Sequence, residues 1–227
     1  MHKSDTAIPR SLFFLSIFYG GMVCIAGVLG NKQVSLGPIS GIGTALGVGP
    51  LAVEAGIFAF LLLVAVSSAV AELHGRAIAN RLVQFGFVPL IVSILLSLLI
   101  LALPASPSME AERLNAFAMM MGGTPRIWLG GIIAYGVSQT LNVTIFSALR
   151  GGAGSLLWLR AGIAGVLSQI VDTLIFITIA FYGIFPVGEL LVGQMLAKVV
   201  LSAVLVPVLL YAFVALGRAL DGGAKAG

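Results

Sequence analysis

The chain has 227 residues, 59% of them hydrophobic and only 9% charged, with 12 Lys and Arg against 8 Asp and Glu, a net charge of +4 and a mean hydropathy of +1.14. A soluble domain carries about a quarter charged residues, and a chain of this size cannot hide so much apolar side chain in one core. A soluble enzyme, a secreted disulfide scaffold and a disordered module are therefore excluded. The lone Cys24 excludes an intrachain disulfide and a cysteine-rich metal site, and the positive charge forms no basic stripe of the kind that binds nucleic acid.

A membrane-spanning helix needs about 20 mostly apolar residues. Six segments qualify: 11–29, 51–73, 82–103, 127–149, 159–182 and 190–216. The expected fold is an all-α polytopic bundle of six transmembrane helices, one membrane unit over residues 1–227. The first segment follows Lys3 and Arg10, but its apolar stretch is long and no small-x-small cleavage pattern follows, so it reads as a retained helix. Residues 36–50 are glycine-rich, and the Gly37-Pro38 and Gly49-Pro50 pairs argue against a regular span there. A loop, a short helix and a re-entrant piece remain open for that stretch. The second span carries Glu54 near one end, expected to be solvated or interfacial. Glu72 lies near the other end, four residues before Arg76, the spacing of an ordinary i, i+4 ion pair. His74 reads as a polar anchor at the interface. The longest connection, 104–125, carries Glu110, Glu112 and Arg113.

Lys and Arg at the helix ends set orientation. With both termini on one side, that side holds Lys3, Arg10, Arg76, Arg81, Arg150, Arg160, Arg218 and Lys225. The other holds Lys32, Arg113 and Arg126. The excess places both termini in the cytoplasm. Trp128 and Trp158 then fall at opposite interfaces, where amphipathic rings prefer to sit.

Polar residues where lipid is expected carry the chemistry. The fourth span contains Ser138-Gln139-Thr140-Leu141-Asn142-Val143-Thr144-Ile145-Phe146. The fifth contains Ser168-Gln169-Ile170-Val171-Asp172-Thr173-Leu174-Ile175-Phe176. Both read S-Q-x-x-[N/D]-x-x-I-F, and on a helix the Ser, Gln and Asn/Asp positions share one face. At about 1.5 Å per residue, Asp172 lies roughly 18 Å and Gln169 roughly 14 Å from the interfacial Arg160. Gln139 lies roughly 16 Å and Asn142 roughly 12 Å from Arg150, and Lys198 roughly 14 Å from Glu189. In a hydrocarbon core about 30 Å thick, all five share one layer near the midplane. One explanation is structural: interhelical hydrogen bonds and an Asp172–Lys198 ion pair. The other is a polar cavity for a small hydrophilic molecule, because interhelical hydrogen bonds average only about 0.6 kcal/mol and a central charge costs about 2.5–3.5 kcal/mol. Phe146 and Phe176 read as packing residues or as rings flanking a planar ligand.

No H-E-x-x-H, G-x-S-x-G or P-loop pattern occurs, so the chain reads as a non-enzyme that needs no cofactor. Its pieces Ala71-Glu72-Leu73-His74-Gly75-Arg76, Ala134-Tyr135, Ser138-Gln139, Leu157-Trp158-Leu159-Arg160, Ser168-Gln169-x-x-Asp172-Thr173-x-x-Phe176, Lys198 and Pro207 resemble the queuosine precursor transporter family, also called vitamin uptake transporter-like. The resemblance runs from about Gly30 to Tyr211. It implies a six-helix importer of a 7-deazaguanine such as preQ0 or preQ1, with Glu72, Gln139, Gln169, Asp172 and Lys198 at its site. The chain departs from the family pattern at Ser68 and Asn142, where Asp is usual, at Leu61, where Pro is usual, and at His74, where Tyr is usual. A guanine-like edge offers adjacent N–H donors that a carboxylate of Asp172 or Glu72 accepts. Gln139, Asn142 and Gln169 complete the hydrogen bonds, and Phe60, Phe146 or Phe176 stack on the ring. Two other readings are a substrate-binding subunit of a multi-component vitamin importer and a non-transporting scaffold subunit. A homo-oligomer is compatible with each.

Overall fold

The computed structural model describes residues 8–45, 47, 51–122, 125–150, 156–183 and 187–222. Lys3, Lys225 and the Gly49-Pro50 pair lie outside the described residues, as do the side chains of Arg126 and Glu189. Six helices are long and apolar enough to cross a membrane, so the protein is a polytopic helical membrane bundle. In chain order these are α1 (Arg10–Leu29), then, after a two-stranded pairing that holds the short α2 (Ser40–Ala45), α3 (Gly56–His74) and α4 (Arg76–Ala102). The surface helix α5 (Ala111–Met121) follows, and then α6 (Pro125–Ala148), α7 (Leu157–Phe181) and α8 (Val187–Gly222).

Helix α3 is apolar over most of its surface, which suits either lipid or the interior of the bundle. It packs against α1, α4, α6, α7 and α8, and 67% of its most hydrophobic stretch is buried, against 6% for α4. Small residues let its neighbours approach: Ala65, Ser67, Ser68, Ala69 and Ala71 are all buried. The peripheral α4 instead turns Phe85, Val88, Val92, Leu95, Leu96 and Leu99 outward, as a lipid-facing helix must. One residue, Gly75, links α3 to α4. Its φ of 90° and ψ of 161° occupy a region open in practice to glycine alone.

The last span runs to Gly222, six residues past the expected end, and two spans start elsewhere than expected. The second span starts at Gly56, because Ala52–Glu54 is a strand (β2) paired antiparallel with Gln33–Ser35 (β1), Val34 opposite Val53. A short apolar run cannot be assigned to strand or helix by hydropathy alone. Between the strands, the described part of 36–50 is a 3₁₀ turn, Gly37–Ile39, followed by the short α2. Ser40 closes this loop: its hydroxyl donates to the Leu51 carbonyl at 2.6 Å and accepts the Leu36 N–H at 2.9 Å. The third span begins at Arg76, six residues early, because Arg76, Asn80 and Arg81 depress hydropathy without interrupting the helix. The long 104–125 connection contains α5, whose Met120 carbonyl accepts from Asn31 Nδ2 at 2.9 Å.

The start of α1 and the end of α8 meet. Asp221 accepts from the Ser11 N–H at 3.0 Å and from its hydroxyl at 2.6 Å, and His74 Nε2 lies 2.8 Å from the same hydroxyl. The first and last spans thus begin and end at one end of the bundle, together with the α3–α4 link. The strand pair and α5 lie at the other.

Candidate functional site

A cavity of about 450 Å³ extends into the bundle from the strand-pair end. At its mouth stand exposed Asn31 and Met120, with Trp128 on α6. Its walls are mainly apolar, with Phe60 on α3 and Phe176 on α7, and three charged side chains from separate elements enter it: Glu54, Asp172 and Lys198. Lys198 Nζ lies 4.0 Å from Glu54 Oε2, their side chains 5% and 18% exposed. This is an ion pair longer than a hydrogen bond. Asp172 feels both neighbours electrostatically and accepts a hydrogen bond from Ser138 Oγ to Oδ1 at 3.1 Å. Two carboxylates and one ammonium leave the cavity with a formal charge of −1.

One tyrosine lines the wall. Tyr135, one turn before Ser138, reaches the cavity and donates to the Val83 carbonyl at 3.1 Å. Its hydroxyl lies 2.9 Å from that of Tyr19 on α1, and its ring meets Phe87 edge-on at 5.0 Å. This ties α1, α4 and α6 together at mid-depth. Gly86 makes room for it, since a Cβ there would stand 2.8 Å from Tyr19 Cε1 and closer still to the Tyr135 hydroxyl.

Beneath the charged groups lies a second polar layer that does not line the cavity. Gln139 and Asn142 are fully buried. Ser67 donates to Gln139 Oε1 at 3.2 Å, and Asn142 Nδ2 faces Ser67 Oγ at 3.1 Å and Ser68 Oγ at 3.0 Å. On α7, Gln169 is equally buried, and neither atom of its amide has a hydrogen-bond partner among the described residues.

A third cluster lies nearer the Arg10 end. Arg160 is 2% exposed. Its Nη1 bonds Glu72 Oε2 at 3.0 Å, and Nε and Nη2 donate to the Phe146 carbonyl at 3.2 and 3.1 Å. Its guanidinium stacks 4.2 Å above the Phe146 ring. Glu72 therefore pairs across helices with Arg160 and not with Arg76, whose Nη2 reaches Thr144 Oγ1 at 3.2 Å. The buried fork of Arg160 satisfies the Glu72 carboxylate and the Phe146 carbonyl at once.

The eight residues singled out from sequence thus fall in three places. Asp172, Lys198 and Phe176 meet at the cavity. Gln139, Asn142 and Gln169 form the layer beneath it. Glu72 and Phe146 join Arg160. Sequence reasoning placed Glu54 in solvent or at the interface, and its link to Lys198 was missed. The signal was its strand register, since pairing Glu54 with Gln33 holds it over the bundle mouth. Tyr135 stood in the sequence only as part of the Ala134-Tyr135 piece of the family resemblance, one turn before the motif, with no role of its own.

Residues 54–212, most of the chain, match the family described as "Putative vitamin uptake transporter". A protein of Bacillus subtilis (strain 168) described as "Probable queuosine precursor transporter" is 34% identical over 150 residues, 63% of this chain and 63% of that relative. The chain therefore spans just under two thirds of that relative's length. No solved structure matches it. The match begins at Glu54, takes in α3 to α7 and most of α8, and so includes Glu54, Asp172 and Lys198 of the cavity; over this extent the chain belongs to the vitamin uptake transporter family.

Proposed function

We propose that the protein imports a 7-deazaguanine queuosine precursor, preQ0 or preQ1, or a similar purine-like solute across a bacterial inner membrane, with its Arg-rich end in the cytoplasm. One observation carries the reading: Asp172, Lys198 and Glu54, from three elements, converge on a cavity walled by aromatic rings. At about 450 Å³, it falls within the range of small-molecule sites, roughly 300–1,000 Å³. Charged groups inside a span are retained where they face a polar path.

The chemistry matches a guanine-like edge. Its ring N–H and exocyclic amine are parallel donors, which a carboxylate takes as a pair. Asp172 serves them, held in place by Ser138. The neighbouring ring carbonyl accepts from Lys198, whose ammonium is not tied into a hydrogen bond by Glu54 at 4.0 Å. Phe60, Phe176 and Trp128 offer faces for the bicyclic ring. Glu54 lowers the cost of holding Lys198 charged in an apolar surround. The name of the Bacillus subtilis relative agrees with this solute class.

The test is uptake of labelled preQ0 and preQ1 into cells unable to make them, with the melting temperature of the purified protein as a binding readout. A ligand at about 100 times its Kd stabilises the folded state by about 2.7 kcal/mol. Asp172→Asn keeps the shape and loses the charge that accepts two donors, so uptake falls at least tenfold while the variant inserts normally. Parental uptake by that variant sinks the assignment.

A further inference from the structure

Six of the eight buried polar atoms without a hydrogen-bond partner among the described residues cluster beneath the cavity. They are Gln139 Nε2, Asn142 Oδ1, both amide atoms of Gln169, Thr173 Oγ1 and Ser202 Oγ. Their levels follow from contacts between antiparallel helices. Gly165 of α7 lies against Val206 of α8. Four residues along α7 and four back along α8 therefore bring Gln169 level with Ser202, and four more bring Thr173 level with Lys198. Ser138 meets Asp172, so by the same count Asn142 lies level with Ser168. The unpartnered atoms thus begin beside Lys198 and continue inward from three helices for about one helical turn.

Folded proteins rarely leave buried donors and acceptors unpaired, because each then bears its full desolvation cost. An apolar side chain at Gln169 would pack there without that cost. Amides at this place make sense when a second conformation supplies their partners. On the far side, Gln169 stands nine residues, roughly 14 Å, from Arg160. There the Glu72–Arg160 pair, tied to the Phe146 carbonyl and ring, ends the polar column at the Arg-rich end.

We infer that Gln139, Asn142, Gln169, Thr173 and Ser202 form a second, inner binding site, closed in this conformation, for the same planar, hydrogen-bonding solute, and that the Glu72–Arg160 ion pair is the gate that shuts it off from the cytoplasm. Solute taken by the outer cavity passes down to the amides when α7 and α8 part. The amides then exchange absent partners for the donors and acceptors of the ring edge, and the path opens when Arg160 releases Glu72. The opposite arrangement, a site open at both ends, would leak. Here the outer cavity reaches exposed residues at its mouth while the inner layer is fully buried, as one state of an alternating-access cycle requires. This inference rests on the reading that a solute enters the cavity, but its first test does not.

That test is accessibility. In a Cys24→Ala background, Ser202→Cys is exposed to a membrane-impermeant, cationic methanethiosulfonate in inside-out vesicles, with and without Glu72→Gln. Ala148→Cys, at the exposed end of α6, is the labelling control. Loss of the gate carboxylate is expected to raise the Ser202→Cys labelling rate at least tenfold. An unchanged rate, with the control labelled, overturns the gate. The second test is Gln169→Met. A transit site predicts that this variant melts a few degrees higher than the parent, because an unpaired amide has gone. It also predicts that preQ0 still shifts its melting temperature through the outer cavity, while uptake drops at least tenfold. A lower melting temperature for Gln169→Met marks the amide as structural and overturns the inner site. Absence of any preQ0 shift in the parent protein counts against the proposed solute, and the labelling result stands apart from it.

Discussion

Replacing Lys198 with Met removes the only ammonium that lines the cavity among the described residues and keeps an unbranched chain one atom shorter. Lys198 lies 4.0 Å from Glu54, and their side chains are 5% and 18% exposed. Two unit charges at that distance attract by about 4 kcal/mol at an effective dielectric constant near 20, offset by several kcal/mol of desolvation per ion. The net worth of the pair is therefore small, but breaking it is costly. Lys198→Met leaves Glu54 and Asp172 as two carboxylates in one cavity without a counter-ion, and removal of one member of a buried pair destabilises by about 3–5 kcal/mol. Glu54 is partly exposed, so the lower figure applies. For a chain of this size, about 3 kcal/mol lowers the melting temperature by roughly 6–12 °C. Glu54→Gln alone is milder, because Asp172 still faces the ammonium. The double variant, Lys198→Met with Glu54→Gln, removes one of the stranded carboxylates and recovers about 1–2 kcal/mol relative to the sum of the single losses. The assay is thermal unfolding of the four proteins in one detergent. If the single losses add to within about 0.5 kcal/mol, Lys198 and Glu54 are not coupled and the electrostatic account of the cavity is refuted.

Other expectations concern the scaffold that holds the cavity. Gly75→Ala forces a Cβ onto φ 90°, ψ 161° at the α3–α4 link and costs about 1–3 kcal/mol, read as a lower melting temperature; an unchanged value means that the link takes another conformation. Gly86→Ala drives a methyl into the Tyr19–Tyr135 contact and costs about 1–3 kcal/mol. Pairing it with Tyr19→Leu relieves part of that loss, and strict additivity of the two argues against the contact. Ser40→Ala removes the hydroxyl that bonds Leu51 and Leu36. It speeds amide exchange in 33–54 without altering exchange in α3, whereas equal exchange in both variants shows that Ser40 does not close the loop.

The two copies of the repeated motif show where sequence reasoning holds and where it stops. Helical rise put Gln139, Asn142, Gln169, Asp172 and Lys198 in one layer. In the fold Asp172 and Lys198 line the cavity while Gln139, Asn142 and Gln169 do not. The partners repeat only in part. Both serines reach the carbonyl three residues back on their own helix, Tyr135 at 3.4 Å and Gly165 at 2.9 Å, but Ser138 also reaches Asp172 of the other copy at 3.1 Å. Gln139, one residue from Ser138 and therefore about a third of a turn round α6, faces Ser67 of α3. Adjacent residues thus serve different neighbours.

The amino-acid order by itself determined the solvent and the number of apolar spans and set an expected depth for the polar groups, since each depends on local quantities: hydropathy summed over about 20 residues and a rise of about 1.5 Å per residue. It also marked Asp172 and Lys198 as anomalous, because the cost of a charge in lipid is a property of the residue and its depth. Tertiary structure alone decided which of these groups meet. The rotation of each helix about its own axis is set by packing against helices far away in the chain, and a turn of a few tens of degrees exchanges one facing neighbour for another. That rotation sends Glu72 to Arg160, buries the amides below the cavity, and brings Glu54, carried in by a strand that hydropathy read as helix, to Lys198.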